Sequence, residues 1–213
     1  MIRSIQSGRE KAMTFLIVFK MLSWLILSVF FYYGYDMRRR PGWRELAPGR
    51  STRIMKSAAL TLGVILVTAI ACLTRLRPTD YVALLCFLAG ALLVREAKKE
   101  LEKSGAFTWT GYALVTPHLV TSGIYAWLRH PLYAGVHLVE IGGALLVLPH
   151  ASDWFPQAHL EISLGLSVAL LYAIFFNLKQ AARESQFLAQ VFGEEYRRYA
   201  SRVRAFIPIT KGH

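Results

Sequence analysis

The chain has 213 residues, of which 54% are hydrophobic and only 18% charged, and its mean hydropathy is +0.37. That is more apolar material than one soluble core of this size buries, which argues against a simple water-soluble enzyme. Lys and Arg total 25 against 13 Asp and Glu, a net charge of +12. In a chain this apolar the excess is first a topology signal, and nucleic-acid binding is set aside. Cys72 and Cys86 lie inside apolar runs without C-x-x-C or Cys/His spacing, so neither a disulfide framework nor a zinc site is expected.

The apolar residues gather in runs long enough to cross a bilayer, which predicts an all-α, polytopic membrane helix bundle forming a single domain over 1–213. The first span runs from about Phe15 to Tyr35, behind Arg3, Arg9 and Lys11 and with no cleavage site after it. The second, Ile54 to Leu73, reaches ~30 Å at ~1.5 Å per residue. The third, Tyr81 to Val94, extends toward Ala97 if Arg95 and Lys98 stretch their charged ends to the interface. The fourth occupies 132–149, after Pro131 and up to Pro149, and the fifth covers 160–177. Beyond it Ala181, Glu184, Leu188, Val191, Glu195 and Tyr199 recur at three- and four-residue spacing, which predicts a separate C-terminal cytoplasmic amphipathic helix lying at the lipid surface.

Positive charge in the connections alternates as five spans require. Arg38, Arg39, Arg40, Arg44, Arg50, Arg53 and Lys56 separate spans one and two, whereas the next connection holds only Arg75 and Arg77. Arg95, Lys98, Lys99, Lys103 and Arg129 follow span three, and His150 to His159 carries no Lys or Arg. The basic C-terminal segment, with Arg183, Arg197 and Lys211 among others, belongs with the rich loops. The expected orientation is N-terminus outside and C-terminus cytoplasmic, which the basic residues before span one fit poorly.

Two segments fall on the cytoplasmic side in this layout. The first, Gly123 to Gly135, reads G-I-Y-A-W-L-R-H-P-L-Y-A-G. Pro131 suits a first helical position, which leaves free backbone donors and a positive dipole end for an anion. Arg129 offers a planar fork to a carboxylate, His130 donates or accepts, and Gly123 frees the approaching backbone. The plainer alternative is that Arg129 snorkels to headgroups and His130 caps a helix. In the second segment Glu184 falls on the apolar stripe of the amphipathic helix, where a carboxylate needs a partner. A cationic ligand group would serve, as would an internal ion pair with Arg129, Arg202 or Arg204.

Together with A-R-E-S-Q-F-L-A-Q-V-F-G-E-E-Y-R-R-Y, the first segment resembles the membrane-embedded S-adenosylmethionine-dependent methyltransferases of the isoprenylcysteine carboxyl methyltransferase and phospholipid methyltransferase group. The resemblance covers roughly Arg95 to Pro208. It implies S-adenosylmethionine as cofactor, with Gly123, Tyr125, Arg129, His130, Pro131, Tyr133 and Glu184 around it and Arg129, His130 and Glu184 as the chemically central set. It also implies a lipophilic or lipid-linked acceptor, a carboxylate, amine or thiol, at the cytoplasmic face. Two positions depart from the family's pattern. Ser185 stands where a second Glu is common, and Gly90-Ala91-Leu92 stands where phospholipid methyltransferases tend to show G-x-G.

Glu140 sits inside the fourth span, where an ionisable group is a functional candidate by default. A pair with Lys20 or His137 is the preferred account, with substrate contact behind it. The His137-x-x-Glu140 spacing offers too few ligands for a metal. Trp24, Trp109, Trp127 and Trp154 are expected as interfacial anchors. The competing functional readings are an NADPH-dependent reductase of the sterol reductase type, which has a similar R-H-P-x-Y, and a non-catalytic membrane binding protein.

Overall fold

A computed structural model describes residues 2–34, 43–45, 49–105, 112–114 and 118–207. Arg38 to Arg40, Trp109 and Lys211 lie outside the described residues. Five long helices follow one another: α1 (Ile2–Gly34), α2 (Gly49–Cys72), α3 (Pro78–Lys103), α4 (Pro131–Trp154) and α5 (His159–Arg202). A 3-10 turn at Gly123–Ala126 precedes α4. Three-residue strands β1 (Trp43–Glu45) and β2 (Tyr112–Leu114) form a small antiparallel ribbon with Trp43 opposite Leu114. This ribbon is an addition to the all-α expectation.

Helix starts follow local chemistry. The Asp80 carboxylate accepts the Arg77 backbone N–H at 2.6 Å, and Pro78 opens α3. Pro131 opens α4 in the same way, with His130 as its N-cap residue. Phe19, Leu27, Ile70, Phe87 and Leu146 form a common core from α1 to α4. The closest approach is between α3 and α4: a Cβ on Gly90 would lie 2.6 Å from the Gly135 carbonyl oxygen, and one on Gly135 would lie 2.7 Å from that of Gly90. Two hydrogen side chains let these backbones touch, a common device where hydrocarbon outside gives helices no hydrophobic reason to associate.

Large apolar side chains cover the outside. Met13, Phe15 and Leu25 on α1, Leu85 on α3, and Leu160, Leu164, Leu171 and Phe175 on α5 are all exposed, an area that lipid tails cover and water would not. Among the described residues, three helices are long and apolar enough to cross a membrane: Gln6–Gly34, Pro131–Trp154 and His159–Arg202.

The second expected span, Ile54 to Leu73, falls within the single helix α2 (Gly49–Cys72) except for its last residue. The fourth runs past its expected end. Pro149 sits inside α4, where its missing N–H removes one helical hydrogen bond without ending the helix.

The expected separate C-terminal helix is instead the continuation of α5, which is 44 residues long. Between Phe176 and Glu184 the sequence N-L-K-Q-A-A-R offers neither Gly nor Pro to stop it. At ~1.5 Å per residue α5 is about twice as long as a ~30 Å hydrocarbon layer is thick. The apolar part ends near Leu178, and Lys179 folds its ammonium back over the Phe175 ring at 4.5 Å. Residues from Lys179 onward therefore project beyond the membrane-spanning segment. Gly193 breaks the helical geometry with φ 52° and ψ −120°, which rotates the face that follows. Tyr196 and Tyr199 are buried while Val191, placed on the apolar stripe by its spacing, is exposed.

Candidate functional site

The site is built where the turn before α4 meets the far half of α5. The backbone N–H groups of Arg129 and His130 donate to the carbonyls of Arg204 (2.9 Å) and Ala205 (3.0 Å), so the strand-like tail after α5 is stitched to the R-H-P segment. The buried Tyr199 hydroxyl donates to the Tyr125 carbonyl at 2.7 Å, a second stitch one turn earlier. Gly123 opens the 3-10 turn with φ +57°, and a Cβ there would meet the Glu100 carboxylate at 2.6 Å. Only glycine satisfies both the conformation and the space. Glu100 is held beside it by the Ser122 hydroxyl at 2.6 Å.

His130 is 4% exposed. Burial and the neighbouring Arg129 guanidinium lower its pKa to about 4, so the imidazole is neutral at physiological pH. Its Nε2 meets the Ser185 hydroxyl at 2.8 Å, and its Nδ1 lies 3.9 Å from the Glu184 carboxylate. Tyr133 packs edge-on to the His130 ring with centroids 5.8 Å apart. Burial pushes Glu184 up to about 7, while the neighbouring Tyr133 hydroxyl and the Lys98 ammonium act in the opposite direction. Burial, with the charge of Glu184 adding to it, also raises Tyr125 far above a free phenol, and Tyr199 is raised mainly by burial. Both stay neutral donors. Arg129 donates from one terminal nitrogen to the Tyr196 hydroxyl at 3.4 Å, and its buried Nε has no hydrogen-bond partner among the described residues.

Tyr125, Arg129, His130, Pro131, Tyr133 and Glu184 thus come together from distant parts of the chain. Gly123 stands at the edge, against Glu100. Among the described residues no ion pair joins Glu184 to Arg129, Arg202 or Arg204; its close ionisable neighbour is His130, and the Lys98 ammonium acts on it through its charge. Lys98, expected to stretch its charged end to the interface, is instead 7% exposed. The signal was available: Gly90, Ala91, Val94, Ala97, Lys98 and Leu101 are buried at helical spacing on α3. Ser185, Tyr196 and Tyr199 also enter the site, and only their partners across the bundle reveal it.

Below this cluster α4 and α5 run antiparallel and meet again. Asn177 of α5 donates to Glu140 of α4 at 3.3 Å, and His137 Nδ1 meets the other carboxylate oxygen at 3.0 Å. Lys20 instead donates to the Ala71 carbonyl at 2.8 Å, tying α1 to α2. Glu140 and Asn177 line one part of a cavity of about 200 Å3 whose other walls are apolar, including Phe30, Leu66, Val139 and Leu166. At the opposite end of α4, His150 bridges Asp80 (3.0 Å) and Asp153 (3.3 Å) and stacks on Trp154, so Trp154 serves packing there. Trp127 is 60% exposed, as an interfacial anchor would be.

The family model for phospholipid methyltransferases matches residues 79–195, more than half of the chain. The chain belongs to the phospholipid methyltransferase family. The match takes in α3, the turn, α4 and α5 up to the residue before Tyr196, the elements that build the cluster. Among curated relatives, human protein-S-isoprenylcysteine O-methyltransferase is 36% identical over 97 residues, 46% of this chain and 30% of the human protein. The enzymes of the same name from Schizosaccharomyces pombe and Saccharomyces cerevisiae are each 31% identical, over 91 and 90 residues. These cover 43% and 42% of this chain, and 33% and 32% of the relatives. The matched region is about a third of the length of those relatives. With its apolar helices, this phospholipid methyltransferase family member is an integral membrane protein.

Proposed function

We propose that the protein transfers a methyl group from S-adenosylmethionine to a lipophilic or membrane-associated nucleophile, a carboxylate, amine or thiol, at the cytoplasmic membrane face. The observation that carries this reading is the convergence of the R-H-P turn with Glu184 and Ser185, two helical turns along α4 and α5 from Glu140 and Asn177 in the wall of a hydrocarbon-lined cavity. The residues suit the cofactor's amino-acid end, which carries an ammonium and a carboxylate. Glu184 is a partly buried acid that a cation would ionise, and Arg129 holds a buried donor without a partner among the described residues. Bound there, S-adenosylmethionine supplies an electrophilic methyl carbon on a sulfonium.

The chain's own contribution is positioning. His130, neutral and fixed by Ser185, holds the start of α4 against α5. The four tyrosines at 125, 133, 196 and 199 are buried and exclude water, which favours charge-cancelling chemistry and preserves the alignment that makes displacement fast. The hydrocarbon part of the acceptor lies in the cavity, entered sideways between helices. The family match favours this reading over a sterol-type reductase.

Calorimetric titration of the purified protein with S-adenosylmethionine tests it. Wild type binds, whereas His130→Ala and Glu184→Ala lose binding; unchanged affinity in both variants rejects the assignment. Orientation, with the N-terminus outside and the C-terminus inside, is checked by an impermeant thiol reagent on Gln157→Cys and Arg197→Cys in sealed vesicles. Labelling of both from the same side refutes it.

A further inference from the structure

We propose that Glu140, oriented by Asn177 and His137, selects an acceptor whose reactive head is a lipophilic amine rather than a carboxylate. The inference deepens the methyl-transfer reading and rests on it. A carboxylate deep in a membrane helix is costly and calls for a use. Glu140 is only partly satisfied: Asn177 Nδ2 meets Oε1 and His137 Nδ1 meets Oε2, and each carboxylate oxygen has room for a second donor. Its side chain is 13% exposed, and the surface it presents forms part of the cavity wall.

The position is equally informative. Glu140 follows Tyr133 by two helical turns, and Asn177 precedes Glu184 by two turns, about 10 Å in each helix. Gln180 lies between, 2% exposed, its oxygen accepting from Arg183 at 3.1 Å and its amide nitrogen without a partner among the described residues. A ligand with its tail among Phe30, Leu66 and Val139 therefore meets Glu140 before it reaches the Tyr133 and Glu184 level. A carboxylate head at that point faces a like charge with little water between them. An ammonium head gains a charge-assisted hydrogen bond.

The test is photolabelling of the full chain in nanodiscs of zwitterionic lipid. Two straight-chain probes of equal length carry a diazirine in the tail and end in a primary amine or a carboxylate. Labelling of α4 and α5 peptides by the amine probe is expected to exceed that by the carboxylate probe. It falls about tenfold in Glu140→Gln, the scale of one hydrogen bond to a charged group, while Glu140→Asp keeps the preference. Asn177→Ala, which leaves the carboxylate in place but unoriented, shifts the preference in the same direction by less. Equal labelling, a carboxylate preference in wild type, or an unchanged amine preference in both Glu140→Gln and Asn177→Ala overturns the proposal. Cofactor binding is titrated on the same preparation. Intact binding with the wrong head-group preference sinks only the role of Glu140, whereas absent binding sinks the methyl-transfer reading itself.

Discussion

Glu184 offers a prediction that separates a binding carboxylate from a structural one. The rise from 4.5 to about 7 corresponds to roughly 3 kcal/mol in favour of the protonated form, set by burial against the weaker pull of Tyr133 and Lys98. Because this acid is raised in the folded state, the native protein holds the proton more tightly than the unfolded chain. Its contribution to stability is present below about pH 4.5 and is lost as pH rises to about 7. A cationic group that pairs with Glu184 reverses the preference. At pH 6 the free carboxyl is about nine-tenths protonated, so binding the ammonium of S-adenosylmethionine should release close to one proton. Titrations at pH 6 in buffers of different ionisation enthalpy read that number directly from the slope of the apparent heat. At pH 8, where the group is already ionised, the release should vanish. The side chain keeps 21% of its surface accessible, so it can be reached without opening the bundle. Binding without proton release at pH 6, or an equal release from Glu184→Gln, refutes the pairing.

Further expectations follow from the packing. Gly135→Leu forces atoms into the Gly90 carbonyl and Val94 and should cost about 1 to 3 kcal/mol or more, visible as a lower melting temperature in detergent. Tyr199→Phe leaves the Tyr125 carbonyl without its donor. Hydrogen exchange should rise across residues 122–130, with a loss of about 1 to 3 kcal/mol; unchanged protection would show that the tail does not hold the turn. His150→Ala leaves the fully buried Asp80 with the Arg77 backbone N–H but without its imidazole partner and should cost about 3 kcal/mol. Arg75→Ala, removing one of two arginines from the partly exposed Asp153, should cost under about 1 kcal/mol. A chemical-denaturation series ranks these two.

Hydropathy and local signals in the sequence were enough to place five helices, the proline start of α4 and the two segments that converge. Those features depend on residues near each other in the chain: apolar run length, the missing N–H of Pro131, and the spacing of Arg129, His130 and Tyr133. Where local signals mixed, the outcome differed. Pro149 did not end α4, and α5 ran on because nothing between Asn177 and Glu184 interrupts helical hydrogen bonding.

Partner choice was a different matter. The neutral state of His130 and its bond to Ser185, the burial of Lys98, and the tie from Tyr199 to Tyr125 all depend on side chains brought from other helices. So does the choice of Asn177 rather than Lys20 beside Glu140. A sequence displays which groups need partners. Desolvation and distance, which exist only after the helices pack, decide which partners they get.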